Sequence, residues 1–503
     1  MTALSDVPPA GRVYVDDLVA VLRRAGSRPV LRYAGADTTG ADLLAAVLRY
    51  ARALDAVGIG RGDLVALLAP NRPDALAVRY AAHLVGAGAV YLPAPPDPER
   101  RRRMIAQFEP RLLVVFPETA HLLPPGVSTR LAAVGAVPGV GLRLDVATGR
   151  PAGPLPCRAR PEDLAVVISS GGTTGLPKGS RRDFASYTTA VAGPEQADRR
   201  QLANGSLAHL TQVLVDQTLL GGGTVVLQDR YDPVATLEAI EAERITDLFL
   251  VEPQLFDLMD HPDLPSADLG SLRTVTHIGA VAAPVLRQRA RARLGPVVAH
   301  TYGASEVGIV SALSPAEHDR PSRFRCAGHV RPGVEVRFRG AGGVLDPRAG
   351  AIEVRSPAMA QGYRHRPVDQ DERFVDGWYR TGDLGCLDDE GMLRVLGRRT
   401  DVGEPGSVTP ADLQETLCRL PSVRYAVLAV DLDRGVRLAA AEPWPGGTVD
   451  VDGCRAAVAA DHGAAVAATM HVLPLTRIPL TEQGKPDRAA IRAAASAVLA
   501  GAR

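Results

Sequence analysis

The stretch Ile168-Ser-Ser-Gly-Gly-Thr-Thr-Gly-Leu-Pro-Lys-Gly-Ser180 decides the fold. It follows the apolar run from Leu164 to Ile168, which predicts a buried strand, so we expect a loop at a strand end. Its glycines let backbone N–H groups approach an anion, its hydroxyls are donors, and Lys178 adds a positive charge. These features suit a polyphosphate, although the pattern is not a Walker A loop. The alternative is an ordinary glycine-rich turn.

The composition is that of a soluble globular protein. The chain has 503 residues, 46% of them hydrophobic and 22% charged, which allows about three domain-sized units. A net charge of +1 gives no reason to expect a nucleic-acid partner or an acidic membrane surface. No apolar stretch long enough for a membrane span and no secretory signal are expected. Five scattered cysteines without C-x-x-C spacing favour a cytoplasmic location.

Strand and helix patterns alternate along most of the chain. A capping-box pattern at Thr39 begins an amphipathic helix to about Leu54, and the apolar run Leu64–Leu68 predicts the next strand. This alternation, repeated further along the chain, predicts an α/β protein with parallel or mixed sheets covered by helices. Residues 400–503 predict a small α+β unit that begins with a helix at Pro410.

The run S-G-G-T-T-G-L-P-K-G resembles the phosphate-binding signature of the adenylate-forming superfamily. This superfamily contains acyl- and aryl-CoA synthetases, adenylation domains of nonribosomal peptide synthetases, and beetle luciferases. The resemblance implies that the signature residues contact the phosphates of ATP; they are Ser170, Gly171, Gly172, Thr173, Thr174, Gly175 and Lys178.

Two further motifs resemble nucleotide-binding motifs of the same family. Ile278-Gly279-Ala280 is similar to the turn on which the adenine stacks. His300-Thr-Tyr-Gly-Ala-Ser-Glu306 is similar to Y-G-x-T-E, with Tyr302 and Gly303 in their usual places and Ser305 replacing Thr. The resemblance implies that Glu306 holds a Mg²⁺ ion that bridges the ATP phosphates, a role for which one or two carboxylates suffice.

The last two motifs complete the resemblance over nearly the whole chain. Asp376-Gly-Trp-Tyr-Arg-Thr-Gly-Asp-Leu384 is similar to G-W-x-x-T-G-D-L, which implies that Asp383 accepts hydrogen bonds from the ribose and that Arg398 contacts the nucleotide. Pro479-Leu-Thr-Glu-Gln-Gly-Lys-Pro-Asp-Arg488 is similar to P-x-T-x-x-G-K-x-x-R, which identifies Lys485 as the catalytic lysine of adenylation, on a loop that we expect to be exposed.

The family resemblance implies two domains and a two-step reaction. Residues 1–399 are expected to form the core that binds ATP and a small carboxylic acid, and residues 400–503 a mobile C-terminal domain that carries Lys485. The acid would be joined to AMP with release of pyrophosphate, and the acyl group then passed to the thiol of CoA or of a carrier-protein phosphopantetheine. The alternatives are an amine acceptor, a non-catalytic adenylate-binding protein, and a luciferase-like oxidative step.

Three residues bear on the substrate. His209 falls where the family has an aromatic or histidine side chain lining the acid pocket, although a lone histidine is more often structural. Its neighbour is Leu210 rather than the Asp that binds an α-ammonium group in amino-acid-activating relatives, so we expect another kind of acid. Glu252 ends a predicted buried strand, where it would either recognise a substituent on the acid or form a structural salt bridge.

The segment after the hinge at Thr400 departs from the CoA-forming pattern. It is shorter than usual, it contains Pro405, and Asp412-Leu-Gln414 replaces the two glutamates of P-x-E-[IV]-E. In CoA-forming relatives this loop lines the pantetheine tunnel. The sequence therefore predicts adenylation more firmly than it predicts a thiol acceptor.

Overall fold

The structure is a computed structural model that describes residues 11–146, 155–169, 178–279, 283–402, 407–431 and 436–501. The signature residues 170–177, Ala280 and Pro405 lie outside these ranges. The helices are α1 (Tyr14–Ala25), α2 (Gly40–Ala56), α3 (Pro73–Leu84), α4 (Pro98–Phe108), α5 (Phe184–Val191), α6 (Thr211–Leu220), α7 (Pro233–Ala242), α8 (Glu252–Met259), α9 (Pro284–Leu294), α10 (Pro367–Arg373), α11 (Arg399–Val402), α12 (Pro410–Cys418), α13 (Val451–His462), α14 (Ala464–Ala468) and α15 (Arg488–Gly501).

The strands form four sheets. In chain order they are β1 (Pro29–Tyr33), β2 (Ala36–Thr39), β3 (Leu64–Leu68), β4 (Gly88–Tyr91), β5 (Leu112–Val115), β6 (Leu131–Ala133), β7 (Leu164–Ser169), β8 (Gly179–Asp183), β9 (Arg200–Ala203), β10 (Thr224–Leu227), β11 (Asp247–Val251), β12 (Thr274–Ile278), β13 (Val298–Ala304), β14 (Gly308–Leu313), β15 (His329–Val330), β16 (Glu335–Arg339), β17 (Leu345–Asp346), β18 (Ala349–Arg355), β19 (Phe374–Val375), β20 (Trp378–Leu387), β21 (Leu393–Arg398), β22 (Tyr425–Asp431), β23 (Val436–Glu442) and β24 (Met470–Pro474).

Two sheets with parallel centres form the N-terminal part of the molecule. The larger has nine strands in the order β15-β14-β13-β12-β11-β9-β10-β1-β2, and the second has six in the order β6-β5-β3-β4-β7-β8. In both, antiparallel pairs occur at the edges, as in the β7–β8 and β13–β14 hairpins. Central strands such as β3, β4 and β5 are buried along their whole length, as expected for parallel strands covered on both faces.

An antiparallel sheet and a small C-terminal sheet complete the fold. The former pairs β17-β16-β18-β20-β19, with β21 added to β20, and the latter has the order β22-β23-β24. The large N-terminal and smaller C-terminal parts confirm the predicted α/β class with mixed sheets. Of the C-terminal elements, β22, β24, α12 and α13 agree with the sequence prediction, whereas β23 was not predicted.

Local sequence explains the helix starts that position the site. Thr39 and Asp42 form the predicted capping box at the start of α2, in which the Thr39 hydroxyl accepts a hydrogen bond from the Asp42 N–H at 3.1 Å. Asp232 caps α7 by accepting a hydrogen bond from the Ala235 N–H, and Pro233 occupies the first helical position. These helices therefore begin where backbone donors would otherwise lack partners.

A buried polar cluster ties α3, α5 and α6 together behind the site. Asp216 of α6 pairs with the guanidinium of Arg79 from α3, and both side chains are 0% exposed. The Asp216 carboxylate also accepts hydrogen bonds from Tyr80 at 2.6 Å and from Tyr187 of α5 at 2.7 Å. A buried pair of this kind is tolerated because the remaining acceptor positions are filled. It fixes α5 and α6, which flank the cavity described below.

No helix in the described ranges is long and apolar enough to cross a membrane. All five cysteines are free thiols in the structure.

Candidate active site

A cavity of about 1100 Å³ lies at the carboxyl ends of β11, β12 and β13. Its wall is built from both parts of the chain, because the C-terminal loop 480–485 closes one side. Five of the residues predicted from sequence line it, and they are His209, Gly279, Gly303, Ser305 and Lys485. The structure thus brings together motifs that are far apart in the sequence.

Lys485 reaches into the cavity from the C-terminal loop. It is half-buried, so the expectation of an exposed loop position is wrong. Burial, Arg398 and Arg488 lower the pKa of the Lys485 ammonium, while Glu306 opposes this effect. A lysine surrounded in this way is a cation with few counter-charges, which is the condition for attracting an anionic substrate.

Two glycines that line the cavity allow close contacts, one with this lysine and one within the β13–β14 hairpin. Gly279 has a φ of +90°, and a Cβ atom there would lie 2.9 Å from the Lys485 Cε. A Cβ on Gly303 would lie 2.3 Å from the carbonyl oxygen of Gly308, across the β13–β14 hairpin. At both positions a side chain would fill space that the lysine or the hairpin backbone occupies.

Glu306 lies between β13 and β14 and is 6% exposed. The Tyr363 hydroxyl donates to its Oε1 at 2.8 Å, and its backbone carbonyl accepts from the Ala360 N–H at 2.7 Å. No hydrogen bond from the described part of the chain reaches Oε2, so this oxygen is available to a metal. A single carboxylate oxygen fits Mg²⁺, which keeps water and phosphate oxygens as its other ligands.

Asp383 and Arg398 face each other across the β20–β21 pair. Arg398 Nε lies 3.2 Å from Asp383 Oδ1, and the Tyr302 hydroxyl donates to Oδ2 at 2.6 Å. Burial raises the pKa of Asp383, against the lowering effect of Arg398 and Tyr302. A carboxylate has about four acceptor positions, so two remain for the ribose hydroxyls. These residues do not line the cavity itself; they adjoin it through Tyr302 and the neighbouring Gly303.

The signature loop joins the two strands of the β7–β8 hairpin. Ser169 pairs with Gly179 at its base, so both ends of the loop are fixed although residues 170–177 lie outside the described ranges. Lys178 pairs with Asp369 at 2.5 Å and lies 5.4 Å from the centre of the Tyr363 ring. The side chain of Tyr363 therefore interacts with both Lys178 and Glu306.

Part of the cavity lining is apolar. His209 and Leu210 line the cavity, together with the apolar side chains Val213, Phe249, Ile278, Ile309 and Val334. Burial lowers the pKa of His209 to about 4, so the imidazole is neutral near pH 7. Its Nδ1 lies 3.2 Å from the Ser169 carbonyl oxygen and 3.2 Å from Gln483 Nε2.

Glu252 does not line the cavity. It is 4% exposed, and its Oε1 accepts hydrogen bonds from Gln414 Nε2 at 2.9 Å and from the Tyr425 hydroxyl at 2.8 Å. Both donors belong to the C-terminal part of the chain. The structure therefore directs Glu252 towards that part and not into the cavity. His277 Nε2 lies 4.0 Å from Glu252 Oε2, and burial lowers the pKa of His277 to about 3. Among the described residues, hydrogen bonds from Gln414 and Tyr425 hold Glu252.

The residues that replace the two glutamates of CoA-forming relatives have structural partners. Asp412 forms a capping box with Thr409 at the start of α12 and an ion pair with Arg325 at 2.6 Å. Gln414 donates to Glu252 and to the Ala426 carbonyl. Both side chains are thus occupied in holding α12 against its neighbours.

Sequence reasoning missed Tyr363 and Gln483. Tyr363 is 57 residues from its partner Glu306, and Gln483 is 274 residues from His209. Neither lies at a position of a motif that specifies its residue type. The available signal for Gln483 was its place two residues before Lys485 in a loop expected to enter the site.

Together these groups suit the joining of a carboxylate to the α-phosphate of a nucleotide. Asp383 and Arg398 offer acceptors and charge that would suit a nucleoside, the Glu306 carboxylate could hold a metal, and Lys485 places a cation in the cavity. No side chain here is arranged as a covalent nucleophile beside a general base in the described ranges. Catalysis would rest on positioning and on stabilisation of negative charge.

Comparisons with known proteins identify the family. A family model described as AMP-binding enzyme matches residues 19–364. The medium/long-chain-fatty-acid–CoA ligase FadD8 of Mycobacterium tuberculosis is 29% identical, over 95% of this chain and 89% of its own. Feruloyl-CoA synthase of an Amycolatopsis species is 31% identical, over 86% and 89%. The structure of the amide bond synthetase McbA from Marinactinospora thermotolerans is 32% identical, with a TM-score of 0.84 over 95% of this chain and 99% of its own. The chain belongs to the AMP-binding enzyme family and is an adenylate-forming ligase.

Proposed function

We propose that this ligase activates an aryl or other bulky, largely apolar carboxylic acid and passes the acyl group to the thiol of CoA. The observation that carries the proposal is the contact of Lys485 with Gly279 inside a cavity that is lined in part by apolar side chains. A lysine in this position would reach both the carboxylate of an acid and the α-phosphate of ATP. A protein that only bound adenylates would not need it there.

The lining of the cavity supports this class of acid. Leu210 stands beside His209, where a carboxylate would be needed to hold an α-ammonium group. Phe249, Val213 and Ile309 provide apolar surface in the lining of the same cavity. Apolar walls with a few polar groups are typical of small-molecule sites, and burial of the body of the acid supplies the binding energy. An α-amino acid is disfavoured for the same reasons.

The adenylation step follows from the positions of the charged residues. Asp383 accepts hydrogen bonds from the ribose, and Arg398 holds Asp383 in place. Lys485 lies between the acid and the α-phosphate and stabilises the negative charge that develops as the carboxylate attacks. Glu306 and the signature residues are assigned to the departing pyrophosphate. When bound to Glu306, Mg²⁺ supplies positive charge to the phosphate oxygens.

The thiol acceptor is supported by the named relatives, which include a fatty-acid–CoA ligase and a feruloyl-CoA synthase. A carrier-protein phosphopantetheine presents the same thiol and is the variant to test next. In this proposal the C-terminal part, residues 400–503, moves relative to residues 1–399 between the two steps.

We also propose a cytoplasmic location, for which the five free cysteines are the support.

A second candidate acceptor is an amine. It is favoured by the similarity to an amide bond synthetase over 95% of this chain. It is also favoured by Asp412 and Gln414, which replace the glutamates of the CoA-forming pattern and are engaged in other contacts. The first step is the same for both acceptors.

The test is acid-dependent ATP–pyrophosphate exchange across a panel of aryl, alkyl and α-amino acids. The best acid is then incubated with ATP and Mg²⁺, alone, with CoA or with a panel of amines, and products are identified by mass spectrometry. Rapid CoA-dependent formation of acyl-CoA supports the main proposal. Acyl-adenylate that ignores CoA but is consumed by an amine supports the second candidate. Exchange with α-amino acids alone would contradict the proposed substrate class.

A further inference from the structure

Gln483 contacts His209 from the C-terminal loop. Its amide nitrogen lies 3.2 Å from His209 Nδ1, and both residues line the cavity. Gln483 is two residues before Lys485, so the two side chains enter the site on the same short segment. This contact joins a residue of the acid end to the loop that delivers the catalytic cation.

His209 Nδ1 has two neighbours, one a hydrogen-bond acceptor and one a donor, that require different protonation states of this nitrogen. The Ser169 carbonyl oxygen, at 3.2 Å, is an acceptor and requires a proton on Nδ1. The Gln483 amide N–H is a donor and requires Nδ1 without a proton. Burial keeps the pKa of His209 near 4, so the ring carries a single proton at neutral pH and satisfies one of these neighbours at a time.

The hydrogen bond that Nδ1 makes decides whether the second ring nitrogen, Nε2, carries the proton. His209 Nε2 is buried and has no hydrogen-bond partner among the residues that the structure describes. If Ser169 takes the proton of Nδ1, Nε2 is an acceptor, which repels a carboxylate. If Gln483 donates to Nδ1, the proton lies on Nε2, which is then a free donor in a ring whose pKa Lys485 helps to lower, and no described residue offers Nε2 an acceptor.

We propose that Gln483 is a positioning residue that fixes His209 as the Nε2–H tautomer, so that the ring donates to the carboxylate of the acid. Because Gln483 arrives with Lys485, this donor forms in the arrangement in which adenylation occurs. The acid is then held by two donors, one neutral and one charged, and its attacking oxygen is oriented between them. The inference rests on the proposed activation of a carboxylic acid.

The first measurement is the tautomer itself, by ¹⁵N NMR of protein labelled at histidine, with ATP and Mg²⁺ added. The His209 signals are assigned by their loss in His209→Phe. Wild type is expected to show Nε2–H. In Gln483→Leu, which keeps the volume and removes the donor, the proton should move to Nδ1 and bond to Ser169. Gln217→Leu is the matched control, because Gln217 lines the same cavity and donates to Ala190 instead; it should leave the tautomer unchanged.

The second measurement is pyrophosphate exchange. Gln483→Leu should raise KM for the acid about tenfold, the effect of one lost buried hydrogen bond, with KM for ATP unchanged. In His209→Phe, the added Gln483→Leu change should have no further effect on KM for the acid. Nδ1–H in the wild-type complex, or an equal effect of Gln483→Leu in both backgrounds, would overturn the proposal. The NMR result does not depend on which acid is the substrate, whereas a failure of wild type to exchange with any acid would count against the proposed function alone.

Discussion

Replacement of Glu252 tests how the C-terminal part is held in the arrangement that delivers Lys485. Glu252 accepts hydrogen bonds from Gln414 and Tyr425, both from that part. Glu252→Val removes both acceptor oxygens and leaves an apolar side chain at the position directly after β11. Glu252→Gln keeps one oxygen in the position that accepts both bonds and serves as the matched control.

The size of the effect of Glu252→Val follows from the hydrogen bonds that Gln414 and Tyr425 would lose. Gln414 keeps its bond to the Ala426 carbonyl, but the Tyr425 hydroxyl, in a residue 2% exposed, would lose its acceptor. An unsatisfied buried hydroxyl costs about 1–3 kcal/mol, which shifts an equilibrium about 5- to 150-fold. Glu252→Gln should cost much less, because burial already raises the pKa of Glu252 and a neutral amide avoids the cost of a buried charge.

The two half-reactions separate this effect from a role in acid binding. We expect Glu252→Val to slow ATP–pyrophosphate exchange by about tenfold or more, within the range set by one lost buried partner. Acyl transfer from synthetic acyl-adenylate should stay near the wild-type rate. The ranking of acids in a panel should also stay unchanged, since Glu252 lies outside the cavity. A changed ranking with a normal exchange rate would refute this reasoning and return Glu252 to the acid pocket.

Three further predictions concern catalysis and pH. Lys485→Ala should lower exchange by on the order of 10²–10³ while circular dichroism and thermal unfolding stay normal, and near-normal exchange would exclude the catalytic role. Asp383→Ala should weaken ATP binding, and wild type should bind 2′-deoxy-ATP less tightly than ATP; equal binding of the two nucleotides would contradict the ribose contact. Burial lowers the pKa of His209 and His318 to about 4 and that of His277 to about 3. Because the unfolded chain binds these protons at about pH 6.5 and the folded chain does not, each histidine should reduce the free energy of unfolding by about 1.4 kcal/mol per pH unit as pH falls below 6.5. The melting temperature measured from pH 7.5 to 5 should fall, and a rise would contradict neutral buried histidines.

Much of the fold could be predicted because its signals are local. The capping box at Thr39 and the apolar run of β3 are patterns within a few residues, and both agree with the structure. Strand β23 was missed because its sequence, Val-Arg-Leu-Ala-Ala-Ala-Glu, is rich in alanine and has Val436 as its single β-branched residue. Pairing with β22 and β24 makes it a strand, and that pairing is a tertiary property.

The site was predictable only where motifs specify residues. Glu306, Asp383 and Lys485 belong to motifs; Lys485 lines the cavity, whereas Glu306 and Asp383 lie outside its lining. Their roles remain predictions until measured. Glu252 and Gln483 depend on contacts between the two parts of the chain, which neither periodicity nor motif spacing reports.

Tyr363 has a consequence for how this chain could be divided. Its hydroxyl holds Glu306, its ring lies beside Lys178, and its backbone bridges to Ser180 of β8. A fragment that stopped before residue 363 would contain the signature loop and Glu306 but not the group that orients them. A two-piece version of the enzyme should therefore be cut after α10, so that the N-terminal piece keeps Tyr363 with Glu306 and Asp369 with Lys178.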